Sequence, residues 1–167
     1  ADAGAPNRIA TGDKYLDRGS LFVARFEEDG SGTWIELDIG NSAIAGYPAY
    51  RFADQADVLV NARLAADAVG ATRMDRPEWT AVHPVTGEVY CALTNNSNRK
   101  VEAAGSSQMR VDPANPRSYQ DGTGAAGNIN GHIVRMREGS AGSTARTFTW
   151  DIYLFGAESG MDSKLVN

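Results

Sequence analysis

The residues best equipped for chemistry sit in one short stretch, Asp75-Arg76-Pro77-Glu78-Trp79. It joins the end of a helical pattern to the start of a strand pattern, the kind of connection on which a rigid scaffold presents functional groups. Pro77 fixes its own φ and biases Arg76 towards an extended conformation. Arg76 and Glu78, two residues apart, are then expected to project on the same side. An arginine offers a planar fork suited to phosphate oxygens. A neighbouring glutamate is a ligand for a hard metal such as calcium, or for iron. Together they are components of a metal-assisted phosphoryl-transfer site. A plainer reading stays open: Asp75 and Glu78 pair with Arg73 or Arg76 at the surface, worth about 0–1 kcal/mol, and Trp79 is a core anchor that begins the strand.

Other candidate residues point away from common chemistries. The histidines, His83 in a turn and His132 opening a strand, lack the HxH or HExxH spacing of a zinc site. There is no Gly-x-Ser-x-Gly elbow for a serine hydrolase. Cys91, the single cysteine, alternates with Val89 and Leu93 as a buried small hydrophobe would. Thr94-Asn95-Asn96 ends a strand, and either lines a mouth or uses its amides to satisfy turn backbone. The acidic turn from Glu27 to Asp29 lacks EF-hand spacing and reads as a solvated hairpin tip.

The elements that must position these residues are mostly strands. Residues 1–19 are polar and read as a lead-in loop. Residues 21–26 and 33–37 form a hairpin around a glycine-containing turn. Residues 38–51 read as a loop. Over residues 55–69 the period changes: Val58, Leu59, Ala62, Ala65, Ala66 and Val69 fall on one helical face, with Asp57, Asn61 and Asp67 largely opposite. Asp54 is the expected N-cap and Gly70 the residue after the C-cap. Residues 80–82 and 88–94 form a second hairpin around the Pro-x-Thr-Gly turn. Residues 95–130 are polar, and a long loop of that kind is usually functional or disordered. Residues 132–137 and 147–154 are the last strand candidates. The expected fold class is therefore mainly β, with one inserted helix, and short hairpins with long decorated loops suit blades of a β-propeller. Six strands fall short of a closed ring, so the alternative is a smaller open sheet.

Composition narrows the function classes. The chain has 167 residues, 42% hydrophobic and 22% charged, enough for one domain with a real core. The 18 glycines favour strands and turns over a helical bundle. The formal net charge is -5, and no basic patch is present to meet nucleic acid. No apolar run has the length of a membrane span, and residues 1–6 lack a signal-peptide pattern.

Residues 63–98, from Arg63 through Asp75-Arg76-Pro77-Glu78-Trp79 to Asn98, resemble the signature region of the PhoX-type bacterial alkaline phosphatases. Gly12-Asp13-Lys14-Tyr15-Leu16-Asp17-Arg18-Gly19, Asn130-Gly131-His132-Ile133-Val134-Arg135 and Phe148-Thr149-Trp150-Asp151 extend the likeness, which covers roughly residues 8–155. The resemblance implies a six-bladed propeller with calcium and iron ions at its axis, hydrolysing phosphate monoesters in the periplasm or outside the cell. On that basis Arg76 binds the substrate phosphate and Glu78 is a metal ligand, while no role is extended to Asp75, Asn95 or Asn96.

The resemblance also implies that further metal ligands, a cysteine and more glutamates, come from parts of the family sequence that have no counterpart here. Family sequences carry an aromatic residue where this chain has Asn130. The expectation is thus a partial β-propeller of two to three blades, spanning residues 1–167, that holds part of a phosphatase site and is inactive alone. Its open sheet edges would favour self-association. The competing expectations are a non-catalytic binding or structural module and a calcium-dependent lactonase-like propeller.

Overall fold

A computed structural model describes residues 19–105, 108–116, 119–120 and 126–156. The lead-in loop expected before residue 19, the stretch Gly12 to Arg18, and residues 157–167 lie outside the described residues. The described residues fall into two compact units, those of 19–23 with 35–71 and those of 24–34 with 72–156.

The three expected hairpins all form. They are β1 (Phe22–Phe26) with β2 (Ser31–Glu36), β3 (Pro77–Val82) with β4 (Val89–Leu93), and β9 (His132–Glu138) with β10 (Thr147–Phe155). Between β4 and β9 lie four two-residue strands: β5 (Arg99–Lys100) pairs parallel with β6 (Met109–Arg110), and β7 (Tyr119–Gln120) pairs antiparallel with β8 (Ala126–Gly127). The hairpins join into one six-stranded sheet in the order β1-β2-β10-β9-β4-β3. The mainly β expectation therefore holds, and the three hairpins share one sheet.

Alternation decides which side chains enter the core of the second unit. In β9, His132, Val134 and Met136 are buried while Ile133, Arg135 and Arg137 are less so. Val134 and Met136 pack with Phe26, Cys91, Leu93, Phe148 and Trp150. Phe26 meets Phe148 and Trp150 edge-on, each with centroids 5.1 Å apart, a favoured geometry for aromatic quadrupoles. The buried Trp150 indole N–H donates to the carbonyls of Glu27 (3.1 Å) and Ser31 (2.9 Å), tying β10 to the first turn. Cys91 lies in this core as expected, and burial pushes its thiol pKa up, away from reactivity.

The first unit contains the helical segment, in three pieces: α1 (Ser42–Ala45), α2 (Gln55–Val60) and α3 (Ala62–Ala68). Asp54 caps α2 as expected, accepting from the Asp57 N–H at 2.9 Å. The helix expected over residues 55–69 is interrupted at Asn61, whose backbone has φ -103° and ψ 38°. Its side-chain amide donates to the Asp57 carboxylate (2.7 Å) and the Asp57 carbonyl (3.2 Å). An asparagine that bonds the preceding turn in this way competes with the helix ladder. Periodicity cannot register that competition, because Asn61 keeps the apolar residues on either side in phase. Gly70, at φ 69°, closes the helix: its N–H donates to Asp67 and that of Ala71 to Ala66, a Schellman ending. The core here is Leu37, Ile44, Phe52, Val58, Ala65 and Val69.

Candidate functional site

Arg76 and Glu78 come together at the start of β3. Glu78 falls at a β-bulge: Pro77 is registered with Leu93 and Trp79 with Ala92, so β4 offers no residue opposite Glu78. Bulges re-aim side chains, and they recur beside active sites. The Arg76 Nη2 lies 3.7 Å from Glu78 Oε1, and both side chains are more than half exposed. Thr94 donates its hydroxyl to Glu78 Oε1 at 3.4 Å, and Arg76 Nη1 donates to Asn95 Oδ1 at 2.8 Å. The guanidinium is thus held at two points with much of its surface open.

Two local expectations fail here. Arg76 is not extended: its φ is 48°, and it is the one non-glycine residue with positive φ among the described residues. A left-handed residue with a Cβ costs about 1–2 kcal/mol, so tertiary contacts outweigh the preference that Pro77 imposes. Trp79 is no core anchor. All six residues of β3 are exposed, Trp79 at 73%.

Asp75 is the larger surprise. The plainer reading gave it a surface pairing with Arg73 or Arg76, yet it is fully buried and paired with Arg99, itself 1% exposed. The Asp75 carboxylate accepts from Arg99 Nε (2.9 Å), Arg99 Nη2 (2.8 Å), Asn96 Nδ2 (2.7 Å) and Asn128 Nδ2 (3.1 Å). Its backbone N–H donates to Asn115 Oδ1 at 2.8 Å. Arg99 also donates to the carbonyls of Arg110 and Arg73 and to Asp112 Oδ2. The pair satisfies the rule that buried charges come matched and hydrogen-bonded.

The rest of the cluster explains several polar residues. Asn96 and Asn128 exchange backbone hydrogen bonds as an isolated bridge. Of the Thr94-Asn95-Asn96 run, Asn96 is therefore a buried scaffold residue, while Asn95 is drawn to Arg76. His132 accepts from Asn128 Nδ2 through Nδ1 (3.1 Å) and donates from Nε2 to the Ala114 carbonyl (2.7 Å). Both ring nitrogens are thus occupied by protein partners. In the exposed turn, His83 accepts from the N–H groups of Val85 and Thr86. Asp29 at the first hairpin tip accepts from the Ser31 hydroxyl and N–H, which hold its carboxyl below the usual range.

Sequence reasoning missed Arg99 altogether. It lies in a polar stretch with no periodicity, and only its distant partners reveal it. Among the described residues no group of three or more His, Cys, Asp or Glu is placed to hold a metal ion. Glu78 is an accessible carboxylate with one arginine and one hydroxyl beside it, and it offers one ligand position.

Comparison with known proteins bears on this geometry. A family model described as alkaline phosphatase PhoX matches residues 4–166. The chain belongs to the PhoX alkaline phosphatase family. Among solved structures, Pseudomonas fluorescens PhoX in complex with vanadate, a transition state analogue, matches with 42% sequence identity and a TM-score of 0.69. The match covers 89% of this chain and 24% of that one, so the chain spans about a quarter of the length of the solved PhoX. A comparison with curated proteins finds no match. The PhoX likeness agrees with the six-stranded antiparallel sheet in giving a mainly β, partial propeller-like fold. No helix among the described residues is long and apolar enough to cross a membrane.

Proposed function

We propose that this chain is a segment of a metal-dependent phosphatase that hydrolyses phosphate monoesters, in which Arg76 binds the substrate phosphate and Glu78 supplies one metal ligand. The observation that carries the reading is the bulge at Glu78, which sets an open carboxylate beside an open guanidinium in a chain of the PhoX family. Arginine's fork matches two phosphate oxygens and neutralises charge on them. The solved PhoX binds vanadate, and the same chemistry suits Arg76. When bound, calcium and iron would supply Lewis acidity at the phosphate. This chain's own share is to orient the phosphate through Arg76 and to hold Glu78 accessible. Asn95 keeps the guanidinium in place, and the Thr94 hydroxyl does the same for the carboxylate.

The reading includes export to the periplasm or beyond, little hydrolysis by the 167-residue chain alone, and self-association through the exposed β3 edge. A chromogenic phosphate ester assayed with calcium and iron supplied, on the chain and its Glu78→Ala variant, tests it. The expected result is negligible turnover in both, with metal uptake weaker in the variant. Metal uptake indifferent to Glu78→Ala would overturn the ligand assignment. Strong metal-dependent hydrolysis by the unaltered chain would overturn the incompleteness of the site.

A further inference from the structure

Two anchors, one residue apart, set the path of the chain into β3. On the inner side the Asp75 carboxylate and N–H are held by Arg99, Asn96, Asn128 and Asn115. The Arg73 carbonyl accepts from Arg99 Nη2 (2.9 Å) and Asn115 Nδ2 (3.1 Å). On the outer side Pro77 is in register with Leu93, and the Arg76 carbonyl accepts from the Thr94 N–H at 3.3 Å. Arg76 lies between at φ 48°, and its N–H donates back to the Met74 carbonyl at 3.0 Å, so the change of direction is made at Asp75 and Arg76 together. Such a conformation persists only where its surroundings over-determine it. Pro77 cannot be the cause, since a residue before proline is driven towards extended geometry.

We propose that Asp75 is the positioning residue of the Arg76–Glu78 pair. Its buried carboxylate draws residue 75 inward against the strand register of Pro77 and forces the left-handed turn that brings Arg76 beside Asn95 and Glu78. The functional part of this inference rests on Arg76 as the phosphate-binding group. The cluster is arranged around that carboxylate even where an arrangement costs a hydrogen bond. Asn128 turns its Nδ2 to both Asp75 Oδ2 and His132 Nδ1, which leaves its own Oδ1 buried without a partner. The opposite amide orientation would aim Oδ1 at the carboxylate, an acceptor against an acceptor.

The test is an NMR comparison of the isotope-labelled chain with Asp75→Asn, using Val134→Ala as a control that truncates the core without touching Asp75. A left-handed residue gives a strong intraresidue HN–Hα NOE. The unaltered chain and Val134→Ala are expected to show it at Arg76. Asp75→Asn is expected to lose at least half of its intensity, and its Arg76 Nε signal to move to the position of a free arginine, while the Trp150 indole signal stays dispersed. An unchanged Arg76 NOE in Asp75→Asn would overturn the proposal. If the Trp150 signal shows that Asp75→Asn does not fold, Asp75→Glu keeps the charge and moves the carboxylate by one methylene. It is expected to weaken the same NOE, and an unchanged NOE there overturns the proposal equally. Orthovanadate titration supplies the functional readout: Arg76 Nε should respond in the unaltered chain, and Asp75→Asn should bind about 10-fold more weakly, equivalent to about 1.4 kcal/mol. Equal affinity in the two would overturn the positioning role. An unaltered chain that ignores vanadate counts against the phosphate reading alone, because the NOE decides the positioning without it.

Discussion

The side chains of the Arg99–Asp75 pair are 1% and 0% exposed, and those of the Arg76–Glu78 pair, which begins one residue later, are 61% and 57% exposed. The first has every advantage of a low-dielectric setting and every obligation: each charged atom must be matched, since an unmatched buried charge is severely penalised. Water can satisfy the second. Its geometry is looser, its ion pair longer, and both groups remain available to a ligand. Stability and accessibility are thus divided between adjacent residues, with the left-handed Arg76 as the joint.

The most disruptive way to break this division is Arg99→Ala. It strands the Asp75 carboxylate in the interior and is expected to cost about 3–5 kcal/mol, read as a lowered urea midpoint. A midpoint close to that of the unaltered chain would mean that water reaches Asp75 and that the two pairs differ less than their exposure indicates. The strain at the joint gives a smaller effect. Glycine normally costs more than alanine in folded backbone, but at φ 48° the order should invert. Arg76→Gly is expected to be about 1 kcal/mol more stable than Arg76→Ala, compared by the same unfolding measurement. Alanine at or above glycine would show that the turn is not strained.

The smallest effect belongs to the partly exposed charges on β9 and β10 and at Glu88 beside them, which sharpen the contrast. Arg135 holds Asp151 at 3.0 and 2.6 Å, and this lowers the Asp151 carboxyl pKa. The Tyr90 hydroxyl and then Thr86 and Arg137 lower that of Glu88. Because both are depressed in the fold, the unfolded chain takes up these protons first as pH falls. Their stabilising contribution is complete above the ordinary carboxylate range and disappears as pH drops through the lowered folded values. Asp151→Asn should flatten the acid side of the stability profile slightly, less than either change above. A profile with the same acid slope in the variant would remove Asp151 from the account.

Much of the fold was legible in the residues because it rests on local rules. Alternation marked all three hairpins, and a cap and a terminal glycine bounded the helical segment. The family was legible from Asp75-Arg76-Pro77-Glu78-Trp79 and its flanks, and the family match over residues 4–166 agrees. Arg76 and Glu78 lie side by side, although by a different backbone path from the one Pro77 suggests. The break at Asn61 was hidden because a side-chain hydrogen bond leaves no trace in periodicity.

What the sequence determined by itself was the six longer strands, their turns and the presence of a charged corner, since these follow from near neighbours along the chain, whereas the two-residue strands between residues 99 and 127 fall in a stretch that reads as loop. Only the tertiary structure decided which charges at that corner would be buried. Asp75 meets Arg99, Asn96, Asn115 and Asn128 across separations of 21 to 53 residues. No local preference encodes contacts at that range. They form because the β3–β4–β9 sheet brings those segments together and water is no longer there to satisfy them, and the same contacts turn Arg76 against its own backbone preference.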